Sequence, residues 1–360
     1  MTAHSRNRYI TLDAMRGIAA LFVVARHFSG LRGGADPQFS FLAVDLFFLL
    51  SGFVLSFSYD ERIAAGMSPG AFLMKRIIRL YPLYFLGIAL GIAIGLSDII
   101  RHRAGATGMG AFLVQSLTGL VILPSPTWHS HPDPFPLLIP AWSLFLEFYV
   151  ANILFAAIRG RASTKIVALL VAGSAAILLA TIPYYQSIGG GAHWSDFSGG
   201  FPRVIFSFFA GVLLQRLHRV RPHRLRIPSW LLLAALILAF LPTIEGVGAL
   251  VYEAVCVFLL FPALIFWGAG AMERNPRIGA MLGDTSYAVY VIHYPLVILA
   301  GRALGKLGIA PGYFVEIIFL GFVAALAYGL HHFYDEPVRA AIARALSPAV
   351  SGARRRAAKV

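Results

Sequence analysis

The chain has 360 residues, of which 58% are hydrophobic and 13% charged. Soluble domains carry about 25% charged residues, and the apolar residues here fall in runs near the ~20 needed to cross a bilayer, so a soluble globular protein is excluded. The formal net charge of +14 would suggest nucleic acid in a soluble chain. Here the basic residues lie between apolar runs, where Lys and Arg fix membrane orientation, and the expected partner is the lipid bilayer, not nucleic acid.

The first apolar run follows Arg6 and Arg8 and could pass for a signal peptide. It lacks a small-residue cleavage site and contains Arg16, Arg26 and His27, so a retained first span is expected. About ten spans follow from run length, over residues 10–29, 39–58, 80–97, 140–158, 164–182, 201–215, 229–241, 248–270, 284–301 and 313–334. The piece 111–123 is too short to cross unaided and suits a re-entrant or interfacial segment. With the N-terminus in the cytoplasm, the inside loops hold Lys75, Arg76, Arg79, Arg159, Arg161, Arg219, Arg224, Arg274 and many more basic residues. The outside loops hold only Arg32, Arg101, Arg103, Arg302 and Lys306. Counting 111–123 as a crossing would invert everything after it and destroy this asymmetry. The expected fold is therefore all-α: a polytopic membrane helix bundle of about ten transmembrane helices plus one re-entrant or interfacial segment, with both termini cytoplasmic. Residues 1–340 form the membrane domain and 341–360 a basic cytoplasmic tail. The single cysteine, Cys256, allows no intramolecular disulfide, and a buried thiol in apolar surroundings is an inert nucleophile.

Ionisable side chains inside spans are costly and mark function. Arg16 and His27 are eleven residues apart, three turns plus about 20°, and so share one face some ~17 Å apart along the axis. Asp45 lies six residues into the second span and Glu147 seven into the fourth, both entering from outside. Arg203 opens the sixth span and Glu253 lies early in the eighth. Topology thus places His27, Asp45, Glu147, Arg203 and Glu253 in one outer layer, where a His beside a carboxylate has the makings of a general base. A lone intramembrane His is also a common interhelical hydrogen-bond partner. Arg76 and Arg79, at i and i+3, face one way at the cytoplasmic side; they suit phosphate binding or a plain positive-inside anchor. Ser286, Tyr290 and His293 share a helical face in the ninth span. His331, His332, Asp335 and Glu336 end the last span, but adjacent histidines on a helix point apart, so no metal site is expected.

The longest outside loop, about residues 98–139, contains the proline-dense stretch from Pro124 to Pro136, which prevents regular helix or central strand. Its Trp128, His129 and His131 suit contact with a sugar acceptor or an interfacial cap at headgroup level.

Five ordered stretches, LDAMRGIAALFVVARHF (12–28), VDLFFLLSGFVLS (44–56), KRIIRLYP (75–82), PAWSLFLEFY (140–149) and SYAVYVIHYPL (286–296), with the closing YDEPVR (334–339), resemble the acyltransferase-3 family of bacterial membrane O-acyltransferases over nearly the whole chain. The family's Arg-x10-His signature falls on Arg16 and His27, its Arg-x-x-Arg on Arg76 and Arg79, and its Phe-Phe-x-x-Ser-Gly on Phe47, Phe48, Ser51 and Gly52. The resemblance implies an inner-membrane O-acyltransferase using acyl-CoA, most often acetyl-CoA, as donor substrate, with no permanently bound cofactor. Acceptors in the family include O-antigen and exopolysaccharide sugars, lipo-oligosaccharides, peptidoglycan and macrolides. It also implies His27 as the catalytic residue and the arginines as donor ligands. Some members append an extracytoplasmic esterase-like domain, which is not expected in this chain.

The combined expectation is catalysis by His27 with Asp45 and Glu147, and donor binding by Arg16, Arg76 and Arg79. Ser51, Trp142, Tyr290, His293 and Arg203 support the site, with Tyr290, Ser51 and Trp142 as oxyanion donors. The acceptor is a carbohydrate or glycolipid hydroxyl. The rival from another class is a transporter or flippase for a glycan or small anion, against which stands the lack of paired broken helices and repeat symmetry.

Overall fold

The computed structural model describes residues 9–33, 37–103, 105–129, 131–158, 163–222, 226–272 and 275–357, with side chains to Leu346. Arg6, Arg8, Arg159, Arg161, Arg224 and Arg274, used above for orientation, lie outside the described residues. The elements in order are α1 (Ile10–Arg32), α2 (Ala43–Ala64), α3 (Pro69–Ile100), α4 (Met109–Leu120), α5 (Ala141–Ala157), α6 (Thr164–Tyr185), α7 (Gly200–Val220), α8 (Ser229–Phe240), α9 (Val247–Gly268), α10 (Pro276–Leu307), α11 (Tyr313–Leu330) and α12 (Glu336–Ala357). Among the described residues the only β-type pairing is an isolated bridge between Pro228 and Met272.

Each expected span coincides with a helix, and seven helical segments are long and apolar enough to cross a membrane. Of the other three, α1 is long but diluted by Asp13, Arg16, Arg26 and His27, while α5 and α8 are shorter. The protein is a multi-pass helical membrane fold. Its outer surface fits lipid: Leu169 on α6 and Phe314 and Ile317 on α11 are more than two-thirds exposed, which would be a large liability in water. The piece 111–123 forms α4, whose last carbonyls are capped by tyrosines of α3. Tyr84 donates to the Gly119 carbonyl at 2.5 Å and Tyr81 to that of Leu120 at 3.0 Å.

The main departure from expectation is α3, which starts at Pro69 instead of residue 80. Ser68 caps it by accepting from the Ala71 N–H, and Pro69 occupies the first turn, where a missing N–H costs nothing. Arg76 and Arg79 therefore stand on a rigid helix with their guanidiniums inside the bundle mouth.

Three helices contain a π turn: Leu146–Asn152 in α5, Cys256–Leu260 in α9, and His331–Asp335 joining α11 to α12. Such turns recur at functional sites. The last one overturns a local expectation. The wider turn lets the donor atoms of His331, His332 and Glu336 lie within 4.8 Å of one another, although His331 and His332 are neighbours in sequence. Their contacts are those of a carboxylate between two imidazoles, at 3.5 and 3.7 Å.

Two helix pairs dominate the packing, α1 along α10 and α2 along α7. Both rely on glycine for close approach. Gly279 and Gly283 of α10 face Ile10 and Asp13, and Gly17 of α1 faces Leu282. On the other pair, a Cβ at Gly52 would collide with the Phe208 carbonyl, and one at Gly211 with that of Leu49. This explains the glycine of the Phe-Phe-x-x-Ser-Gly stretch. Gly52→Ala is expected to destabilise the protein by about 1–3 kcal/mol by forcing backbones apart; an unchanged melting temperature in detergent would contradict the contact.

Candidate active site

Helices α1, α2, α3, α5 and α10 line a cavity of about 190 Å³. Its walls carry Arg16, Arg76, Arg79, Ser51, Glu147 and, at the far end, Ser143 and Tyr290. A second cavity of about 220 Å³ adjoins it through the shared residues Arg16, Val54 and Arg79, and opens between Tyr9, Asp13, Ser58 and Asp284. The two form one passage leading inward from the end of the bundle where α1 begins.

The three arginines of this passage differ in how their charge is met. Arg16 pairs with Asp13 at 3.2 Å. Arg76 donates to Glu147 Oε1 at 2.7 Å, and Ser51 Oγ donates to the same oxygen at 2.6 Å. Arg79 forms no ion pair with a described residue. The passage thus holds a guanidinium in reserve, flanked by two whose orientation is already fixed, an arrangement suited to a multiply charged anion.

Tyr290 closes the far end. Its hydroxyl lies 2.6 Å from Ser143 Oγ and donates to the Pro140 carbonyl at 3.3 Å. One turn further along α10, His293 is fully buried, and its Nε2 lies 3.3 Å from His27 Nδ1. The partners set the tautomers. His293 Nδ1 lies 2.7 Å from the Tyr290 carbonyl, to which it can only donate, so Nε2 accepts. His27 Nδ1 lies 2.9 Å from the Val23 carbonyl and must likewise carry the proton. That leaves the basic lone pair of His27 on Nε2. Tyr294 packs edge-on against the His27 ring, centroids 5.5 Å apart.

The carboxylates expected beside His27 are placed elsewhere. Asp45 accepts from Arg203 Nη2 at 2.6 Å and Nε at 3.0 Å, and from Ser207 Oγ at 3.3 Å. Arg203 and Asp45 are each 1% exposed. Arg203 also donates to the Phe41 and Gly190 carbonyls, and its guanidinium lies 5.5 Å from the Trp142 ring. Asp45, Arg203 and Trp142 therefore form an anchor that holds the α6–α7 connection. Trp142 does not line the passage. Glu147 belongs with Arg76 and Ser51, on the arginine side of the passage. Glu253 accepts from Ser187 and the Ile188 N–H. The partner His27 does have, His293, lies 266 residues away; the shared face of Tyr290 and His293 was the only hint. Ser143, hydrogen-bonded to Tyr290, is missed by sequence reasoning, and its place one residue after Trp142 in PAWSLFLEFY was the available signal.

The acyltransferase-3 profile, described as an acyltransferase domain, matches residues 9–330. The chain belongs to this family. It is 41% identical over 191 residues to protein 2 in the picA locus of Rhizobium radiobacter, covering 50% of the chain and 97% of that protein. A Bacillus subtilis protein named as a peptidoglycan O-acetyltransferase, YrhL, is 24% identical over 92% of the chain, which spans 55% of YrhL's length. The exopolysaccharide production protein ExoZ of Rhizobium meliloti is 26% identical over 79% of the chain and 86% of ExoZ. No solved structure matches. The chain is thus a multi-pass membrane acyltransferase.

Proposed function

We propose that the chain transfers an acyl group, acetyl in the first instance, from acyl-CoA to a hydroxyl of a cell-surface or secreted carbohydrate, with His27 as general base. The reading places it in a bacterial inner membrane with both termini in the cytoplasm. The observation that carries it is the passage itself: a basic mouth with an unpaired guanidinium, leading to a wall behind which a histidine pair is held in a base-competent tautomer. Acyl-CoA phosphates bind at Arg79, with Arg16 and Arg76 beside it, and the thioester extends towards Tyr290. The acceptor hydroxyl arrives from the opposite end. Its oxygen attacks the thioester carbonyl carbon while His27 Nε2 takes its proton. The oxyanion is met by the Tyr290 hydroxyl, which turns from its 3.3 Å contact with the Pro140 carbonyl. Collapse breaks the C–S bond, and the thiolate takes the proton back from His27. Asp45 acts through Arg203 by holding the outer end in shape, and Glu147 by fixing Arg76.

The test is thiol release from acetyl-CoA by detergent-purified protein given a cell-envelope glycan extract. Release that depends on both the extract and His27 is expected. Acyl-CoA binding without extract-dependent release from acetyl, propionyl or succinyl donors would sink the transfer reading, and a failure to bind acyl-CoA would favour a transporter. Arg79→Ala is expected to weaken acyl-CoA binding about 10- to 100-fold, because a charge-assisted hydrogen bond contributes about 1.5–3 kcal/mol. Unchanged affinity by calorimetry would remove Arg79 from the donor site.

A further inference from the structure

Two segments without regular structure meet at the end of the bundle opposite the Arg79 mouth, and both are held unusually firmly. In the first, the Ser125 N–H donates to the Pro134 carbonyl at 2.8 Å. In the second, between α6 and α7, two buried charges serve as fasteners. Glu253 accepts from Ser187 and the Ile188 N–H, and Arg203 donates to the Gly190 carbonyl. Asp196 accepts from the N–H groups of Gly191 and His193. The Trp194 backbone N–H donates to the Pro132 carbonyl at 2.9 Å and joins the two segments.

The junction displays a specific set of groups. Trp128, 56% exposed, stands edge-to-face with Trp194, centroids 6.3 Å apart. Beside them the buried Asp133 lies between His193 and His131, with Nδ1···O distances of 2.5 and 3.6 Å. The two rings meet Asp133 through opposite roles of Nδ1. His193 Nδ1 donates to the Asp133 carboxylate, which leaves an acceptor at Nε2. His131 Nδ1 accepts from the Asp133 backbone N–H at 3.1 Å, which leaves a donor at Nε2. Sugar hydroxyls both donate and accept, and the C–H face of a pyranose carries partial positive charge that suits the negative face of an indole. An interfacial cap would need the tryptophans, but not a buried aspartate whose carboxylate orients one imidazole and whose backbone N–H orients the other.

We propose that this junction is a glycan-binding platform: Trp128 and Trp194 stack a pyranose unit of the acceptor, while His131 and His193, set by Asp133, pair with its hydroxyls. The inference rests on the carbohydrate-acceptor reading above and gives it a location. The platform lies beside the outer part of the helix that carries His293, since His131 shares the wall of a cavity with Ile298 and Arg302 of α10.

The test is calorimetric titration of the purified full chain with a β-1,4-linked N-acetylglucosamine tetramer and a β-1,4-linked glucose tetramer, with acyl-CoA binding measured on the same preparations. At least one oligosaccharide is expected to bind the wild type, at least tenfold more weakly to Trp128→Ala, with partial recovery in Trp128→Phe and loss in Asp133→Asn. Acyl-CoA affinity is expected to be the same in all four proteins. Because Trp128 is at the surface, its replacement leaves the fold in place. A wild type that binds neither tetramer, or a Trp128→Ala protein that binds as well as wild type, overturns the platform. Loss of acyl-CoA binding by the wild type itself would instead count against the donor half of the proposed function.

Discussion

His27→Ala is expected to lower acyl transfer by about 10²- to 10⁴-fold, the usual contribution of a positioned general base, while acyl-CoA still binds. The separation follows from the geometry. His27 does not line the passage that holds the three arginines, so removing its ring leaves the donor contacts intact. The size of the effect depends on the histidine pair. Because His293 is tied to the Tyr290 carbonyl through Nδ1, its Nε2 can accept from His27 Nδ1–H at 3.3 Å. That contact steadies the ring in the tautomer whose lone pair is on Nε2. When His27 becomes an imidazolium, its Nδ1–H still has the Val23 carbonyl and His293 as acceptors. The measurement is single-turnover transfer beside a donor-binding titration. A His27→Ala protein of wild-type activity would end the assignment, and one that loses acyl-CoA binding as well would relocate His27 to the donor site.

Asp45→Ala is expected to destabilise the protein by about 3–5 kcal/mol, the cost of stranding a buried charge by removing its partner. Arg203 is the largest fully buried side chain in the molecule's described part, and two of its nitrogens, Nε and Nη2, are directed at Asp45. Without that carboxylate, the guanidinium keeps only carbonyl and π contacts at Phe41, Gly190 and Trp142. Replacing both partners with apolar groups of similar size, Asp45→Leu with Arg203→Met, is expected to recover most of the loss, as buried ion pairs usually allow. Thermal unfolding in detergent reads both variants. If Asp45→Ala melted like wild type, the pair would not be holding the fold.

Hydropathy made the spans legible because lipid demands continuous apolar surface with every backbone group satisfied within the segment. The α3 start was also available, in the Ser68-Pro69 cap, but the span rule hid it by stopping at the charged residues. The inner arginines, expected at one end of the bundle, do line a single passage there. What sequence could not supply was pairing across the bundle. Depth alone put Glu147 in the layer of His27, whereas it joins Arg76 from α3, and it put Asp45 beside a base when its partner is Arg203 from α7. Three acid–base pairings were possible at similar depth, and only packing chooses among them. The π turns leave no periodic signature, so the convergence of His331, His332 and Glu336 was invisible.

The α2–α7 pair is fastened along its whole length: Asp45 to Arg203 at one end, reciprocal glycines in the middle, then Ser56 to Gln215 and Asp60 to Arg216 at the other end. Such a pair opens only with the whole protein and is expected among the last amides to exchange with solvent. Of this pair only α2 lines the passage, and α1, α3, α5 and α10 supply the rest of its wall. Any widening of the passage is then expected from the helices that face α2, while α2 stays with α7. His27 and His293, carried by α1 and α10, would shift relative to Ser51 on α2 whenever those helices move.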